Sequence, residues 1–246
     1  MILITLSKKD MQRGIKIPPL RNHLLAELCG IHIADGHLGF RKNKGEYLIQ
    51  CTGNLIDDRA YYDNHLRFLW ESLFGLKVNF RERTIDNTYE LRVYSKSIAV
   101  FFNEVLELPF GKKSHSITIP KWIKETSKDK ISKEMKACIR GIVDNDFYFV
   151  LDRGSPELGA WFASKDLVLD LWKYFKLLGL EPRTRLDVKY YNKSSQKDLI
   201  RHQLRIRRIE DIKLWFSEVG TNNPKIYKRY QEFMYLCPGG VDDKLS

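Results

Sequence analysis

An α+β fold is predicted for this chain, with one αββαββα unit used twice in pseudo-symmetric fashion. Three observations predict it. First, Leu28-Cys29-Gly30-Ile31-His32-Ile33-Ala34-Asp35-Gly36 recurs 111 residues later as Ile139-Arg140-Gly141-Ile142-Val143-Asp144-Asn145-Asp146-Phe147. Each copy is a mostly apolar run with a central Gly and a carboxylate at its end. Second, Leu69-Trp70 and Leu171-Trp172 sit in amphipathic stretches that end at Gly75-Leu76 and Gly179-Leu180, and Phe102-Asn103-Glu104-Val105 is echoed by Phe216-Ser217-Glu218-Val219. These offsets are 102, 104 and 114, so loop length differs between copies while the order of elements holds. Third, segments of strict polar/apolar alternation lie between the helical ones. A repeat this long is not a solenoid; it reads as two fused copies of one supersecondary unit.

In the first copy, residues 22–34 read as a helix that stops at Gly36. Strands follow over 37–42 and 46–52, joined by the basic turn Lys42-Asn43-Lys44-Gly45. Asp57-Asp58 opens a helix to Leu73, because acids favour a helix N-terminus. Strands over 77–84 and 88–94 flank the turn-forming Asp86-Asn87, and a helix over 96–107 closes the unit. The second copy gives a helix over 132–145, strands over 146–151 and 158–163, and a helix over 165–178. Strands over 182–190 and 200–207 and a helix over 209–218 complete it. The expected organisation is an N-terminal extension (1–21), a first repeat (22–108), a basic linker (109–131), a second repeat (132–237) and a tail (238–246).

Ala26, Gly30 and Ala34 lie four residues apart, and Ala137, Gly141 and Asn145 repeat that spacing. Small residues so spaced share one helix face and admit a second helix at close range. If the two copies pack on each other, Asp35 and Asp146 emerge side by side. Two adjacent acids repel unless a divalent cation sits between them.

The duplicated pattern resembles the LAGLIDADG motif of homing endonucleases, and the resemblance covers nearly the whole chain. In that family the eighth position is the metal-binding acid, which here is Asp35 in one copy and Asp146 in the other. The first copy has Ile33 where the motif carries an earlier acid; the second has Phe147 where it usually carries Gly. Gly14-Ile15-Lys16-Ile17-Pro18 and Asn222-Asn223-Pro224-Lys225 look similar to archaeal-type members. The resemblance implies antiparallel sheets forming a DNA-binding saddle, Mg²⁺ or Mn²⁺ as cofactor, and a monomeric enzyme that cuts both strands of a long asymmetric duplex site. It also implies a basic residue tuning each half-site. The candidates are Lys112 or Lys113, and Lys225, with Gln50 as a water-positioning group.

Composition agrees. The chain has 246 residues, 43% of them hydrophobic, enough for a packed core. No apolar run is longer than that from Ile98 to Phe102, which is too short for a membrane span, and no stretch at the N-terminus has signal-peptide character. Cys29, Cys51, Cys138 and Cys237 have no paired spacing, which excludes a zinc or disulfide framework and suits a reducing, cytoplasmic setting. The six histidines form no H-E-x-x-H pattern, and no Gly-rich phosphate loop implies a nucleotide. No opening Cys or Ser and no closing His-Asn is present, so a free-standing intron-type enzyme is expected and not an intein.

A net charge of +11 points to an acidic polymer as partner. Arg183, Arg185, Asp187 and Lys189 alternate with Thr184, Leu186 and Val188, and Gln203, Arg205 and Arg207 with Leu204 and Ile206. In the first copy Asn79, Arg81 and Arg83 alternate with Val78 and Phe80, and Glu90, Arg92 and Tyr94 with Leu91 and Val93. One sheet face therefore meets solvent. It is rich in Arg, which reads guanine bidentately, whereas Lys42, Lys44, Lys193 and Lys197 in the hairpin turns suit DNA backbone contacts, and Arg41 is a further DNA-binding candidate. A non-cleaving binder on the same scaffold, an intron RNA maturase or DNA-binding regulator, is the alternative, motivated by Phe147. A nickase dominated by one acid is a third reading. No membrane or protein partner is expected.

Overall fold

The structure is a computed structural model that describes residues 4–152, 155–193 and 195–236. Cys237 and the tail 238–246 lie outside the described residues. A short helix, α1 (Lys8–Gln12), forms within the N-terminal extension and precedes α2 (His23–Asp35), which carries the first motif. The Asn22 side chain caps α2 by accepting from the Leu24 amide at 2.9 Å. Such a cap contributes about 1 kcal/mol. Strands β1 (Gly36–Arg41), β2 (Glu46–Asn54), β3 (Phe80–Arg83) and β4 (Thr88–Tyr94) form an antiparallel sheet in the order β1-β2-β4-β3. Between β2 and β3, α3 (Arg59–Tyr61) runs through a π-helical turn, Tyr62–Leu66, into α4 (Arg67–Phe74). After β4, α5 (Lys96–Val100) continues into a second π-helical turn, Phe101–Val105.

The linker holds one turn of helix, α6 (Lys121–Lys124), and runs against the second half, where the Ser164 hydroxyl donates to the Ile117 carbonyl at 2.7 Å. The second motif is α7 (Lys133–Asp146), capped by Ser132, whose hydroxyl accepts from the Met135 amide at 2.9 Å. Then follow β5 (Tyr148–Asp152), β6 (Ser155–Phe162), α8 (Lys165–Leu177), β7 (Arg183–Asn192), β8 (Lys197–Ile206) and α9 (Ile209–Glu218). The second sheet has the order β5-β6-β8-β7, the same topology as the first. The α+β reading and the repeated order of elements hold.

Three details differ from the sequence reading. Strand β3 is shorter than expected, because the Val78 carbonyl before it accepts from the Arg67 guanidinium at 2.7 Å instead of joining a ladder. Strands β6 and β8 each begin three residues early. A final helix, α10 (Pro224–Leu236), was not expected. Asn223 accepts from the Lys225 amide at 3.0 Å and Pro224 takes the first helical position, a favoured helix start. Among the described residues, no helix is long and apolar enough to cross a membrane.

Helices α2 and α7 pack together at the centre of the molecule. A Cβ on Gly30 would overlap the Cys138 carbonyl oxygen, and one on Gly141 would overlap the Glu27 carbonyl oxygen. Each helix thus rests its backbone on the other's glycine, flanked by the buried Ala26 and Ala137. Further along the seam, the carboxylate of the fully buried Glu27 accepts from Arg140 Nη2 at 2.6 Å and Nε at 3.1 Å. It also accepts from Asn222 Nδ2 at 2.6 Å and lies 2.8 Å from His65 Nε2. Burial alone would raise its pKa, but the bonds from His65 and Arg140 outweigh it and hold the carboxyl down at about 2. Removing one partner leaves a buried charge unpaired, so Arg140→Met is expected to cost about 3–5 kcal/mol in urea unfolding. Stability from Glu27 is complete above its ordinary value of 4.5 and lost as pH falls towards about 2. The unfolding free energies of the wild type and Glu27→Gln should therefore converge over that window, and a gap independent of pH would refute the assignment.

Candidate active site and nucleic-acid face

Asp35 and Asp146 are the last residues of α2 and α7. Both sit against the negative end of a helix dipole, an unfavourable place for an acid without a cation. Asp35 is half-buried; Asp146 opens to solvent within a cleft of about 360 Å³ that Ala34, His37, Lys113, Trp161 and Ser164 also line. Burial lifts the Asp35 carboxyl to about 8, with repulsion from Asp146 and Asp58 adding to it, and Lys113 and Lys225 pulling the other way. Burial by the cleft walls lifts Asp146 to about 6, against Lys113. Among the described residues no group of three or more His, Cys, Asp or Glu side chains could hold a metal. Two carboxylates nonetheless fit Mg²⁺, which typically takes one or two protein oxygens and fills its other positions with water and phosphate.

Lys113 from the linker reaches the end of α2. Its ammonium donates to the Ile33 carbonyl and, at 2.7 Å, to that of Ala34, satisfying orphan carbonyls of the last turn. It is near enough to both acids to act on their charge. Burial lowers its own pKa, against the pull of Asp146. Lys112 is exposed. Lys225, at the start of α10, crosses to the first half, with its ammonium 3.5 Å from Asp57 and 3.9 Å from Asp58. Gln50 donates to Thr52 Oγ1 at 3.0 Å and stands opposite His37 in the β1–β2 register.

Phe147 is buried. Its ring packs in the core of the second half, 5.9 Å from Phe162 and 6.1 Å from Phe175. Gly36, its counterpart, is confined by His32, whose ring would collide with a Cβ there, and the second copy has Val143 in place of that histidine. Both residues are in extended conformation, φ −81° and −89°, so the dihedral angles do not demand glycine, although a Cβ at Gly36 would also meet the His32 Cα. Asp144, which the helix end would leave on the surface, is buried. Its carboxylate accepts from the Thr221 hydroxyl and, at 2.8 Å, from the Asn222 amide, which docks the Thr221–Asn223 loop on α7.

The strand registers sort the arginines by face. In the first sheet His37, Arg41, Gln50, Arg81, Arg83, Arg92 and Tyr94 share the face away from the core helices. In the second, Arg183, Arg185, Gln203 and Arg205 do. Lys189 does not. A β-bulge between Arg185 and Val188, with Asp187 at φ 56°, inserts a residue and pairs Lys189 with Ile200 on the opposite face. Val188 and Tyr190 take its place beside Arg201, whose guanidinium lies 4.0 Å from the Trp161 ring and 4.5 Å from the Tyr190 ring. Lys42, Lys44, Lys193 and Lys197 are exposed at the hairpin ends. Arg207 lies just beyond β8, 3.3 Å from Glu157. The sequence reading missed His37 and Tyr148, each two residues past an acid, and Glu157.

No family model and no curated protein matches the sequence. Solved structures do match. The homing endonuclease I-DmoI in complex with DNA and Mn is similar at 20% identity, over 80% of this chain and 96% of that one, with a TM-score of 0.53. The I-LtrWI LAGLIDADG homing endonuclease bound to target DNA matches at 15% identity over 87% and 89%, TM-score 0.54. The LAGLIDADG homing endonuclease I-GzeII with its DNA target matches at 13% over 89% and 92%, TM-score 0.53. Other I-DmoI complexes were solved with Ca or in the presence of Mg. The chain therefore has the two-repeat LAGLIDADG fold.

Proposed function

We propose that this chain is a LAGLIDADG homing endonuclease, a divalent-metal-dependent enzyme that hydrolyses both strands of a specific duplex DNA site. The observation that carries the reading is the acid pair, one carboxylate from each motif helix, raised by burial and, at Asp35, by repulsion, beside a lysine and flanked by two arginine-rich sheet faces. Asp35 and Asp146 would hold Mg²⁺ or Mn²⁺, which when bound supplies an activated water and neutralises charge on the phosphate. Lys113 would steady the end of α2 and offset phosphate charge. Gln50, opposite His37, would orient water in the first half. Lys225, held by Asp57 and Asp58, would tune the field at Asp35. The arginine faces would read base edges and the hairpin lysines the backbone. The packing of the Phe147 ring against Phe162 and Phe175 supports the nuclease over a non-cleaving binder.

The deciding experiment is incubation with a randomised duplex library and Mg²⁺, with sequencing of cut ends. Defined double-strand ends support the nuclease; selective binding without cutting, in both Mg²⁺ and Mn²⁺, would overturn it. Lys113→Met should reduce the rate by about 10²-fold, the scale of losing one preorganised charge-stabilising donor, while leaving site selection intact. A rate within threefold of wild type in single-turnover assays would remove Lys113 from the chemistry.

A further inference from the structure

We infer that Glu90 and Glu157 brace Arg92 and Arg205 in fixed orientations and thereby set base selectivity, one glutamate in each half-site. The inference rests on the nuclease reading above for its substrate, duplex DNA.

The strand registers place two arginines equivalently. His37, two residues past Asp35, pairs with Gln50, which pairs with Arg92. Tyr148, two residues past Asp146, pairs with Gly159, which pairs with Arg205. Each arginine is paired with a glutamate that is almost fully buried, 2% exposed for Glu90 and 6% for Glu157: Arg205 by a hydrogen bond, and Arg92 by an ion pair in which Glu90 Oε2 and Arg92 Nε have no hydrogen-bond partner among the described residues. Glu90 lies 2.7 Å from Arg92 Nη2 and 3.3 Å from Arg83 Nη1, with Gln50 Nε2 at 3.5 Å. Glu157 lies 2.9 Å from Arg205 Nη1 and 3.3 Å from Arg207 Nε, and the Tyr148 hydroxyl donates to it at 2.7 Å. That hydroxyl sits 3.0 Å from where a Gly159 Cβ would be, in the place that Gln50 fills in the first half. It also accepts from Gln203 Nε2 at 3.0 Å, leaving the buried Gln203 Oε1 without a hydrogen-bond partner among the described residues.

The two glutamates reach the same rung from different places. Glu90 shares strand β4 with Arg92, whereas Glu157 comes from β6, next to the strand of Arg205. A face built only to attract phosphate would gain nothing from buried acids, since each cancels a cation and lowers sequence-independent affinity. Its contribution is orientation. A guanidinium with part of its fork tied to a fixed carboxylate presents its remaining N–H groups in one direction, the condition for bidentate readout of a base edge.

The test is selection of bound duplexes from a randomised library in Ca²⁺, run on the wild type, Glu90→Gln and Glu157→Gln, with binding to nonspecific duplex measured against salt. Each variant should lose base preference over a block of pairs in one half-site only, a different one for each. Nonspecific affinity should rise several-fold at low salt, the log–log salt slope steepening by about one as an arginine is released. Arg92→Lys and Arg205→Lys keep the charge and lose the fork, and should erase the same blocks even if a glutamate variant folds poorly. Unchanged profiles would overturn the inference. So would a clean switch from one preferred base to another at a single position, which would make the glutamate itself the reader. If the wild type selects sites but never cuts in Mg²⁺, the nuclease reading fails while the bracing is still decided by the half-site profiles.

Discussion

Asp35→Asn is expected to abolish double-strand cutting and to raise the thermal midpoint of the metal-free protein. The two effects have one origin. The Asp35 carboxyl is held at about 8 by burial, with Asp146 and Asp58 adding repulsion. A folded state that raises an acid's pKa loses stability as pH climbs from the unfolded value of 3.8 to the folded one. At pH 8 the wild type therefore bears a strain that the neutral amide lacks. After allowance for its partial exposure, a gain of about 1 kcal/mol, or about 2–4 °C, is expected for a chain of this size. The same substitution removes one proposed metal oxygen. Metal-assisted charge stabilisation is worth several kcal/mol, so the loss in single-turnover rate should be on the order of 10³-fold. Asp146→Asn should act alike, with a smaller thermal gain because its carboxyl is raised only to about 6. Nicking that survives Asp146→Asn unchanged would favour a single-acid enzyme; a lowered midpoint for Asp35→Asn at pH 8 would contradict the strain.

Gly30→Ala is expected to destabilise the fold by about 4 kcal/mol or more, a size reserved for specific structural faults. In an ordinary helix interior the change would stabilise by about 1 kcal/mol, since Ala is the better helix former. The sign reverses because the new methyl would overlap the Cys138 carbonyl oxygen, a backbone atom that no side-chain rotation can move aside. Gly141→Ala meets the Glu27 carbonyl in the same way. Urea unfolding measures both, and a change of less than 1 kcal/mol in either would mean that the helices do not approach this closely.

The seam was legible because its requirement is local: small residues at four-residue spacing admit a neighbour whatever else the chain does. The strand faces were legible wherever alternation is strict, as at Glu90-Leu91-Arg92-Val93-Tyr94. Lys189 went to the wrong face because the bulge leaves no mark in the alternation, and Asp187 is a residue that tolerates the left-handed conformation in many contexts. Glu157 was hidden because Pro156 argues against a strand there; the structure keeps it by pairing that end of β6 with β5 at Leu151. Helix α10 is announced by Asn223-Pro224, a helix-start pair that carries no apolar periodicity of its own. The burial of Asp144 could not be seen, since it depends on a loop that returns 77 residues later.

Glu27 bears on how such a protein changes over generations. Its bonds join α2 to Arg140 and Asn222, residues on the far side of the linker. Recombination that brings in a first half from another lineage would carry its own residue to that place while inheriting the old acceptors' partners, and a mismatch there strands a buried ion. Exposed contacts between the halves, such as Lys225 with Asp57 and Asp58, tolerate change more readily, yet at this point the halves must be inherited together or altered in step.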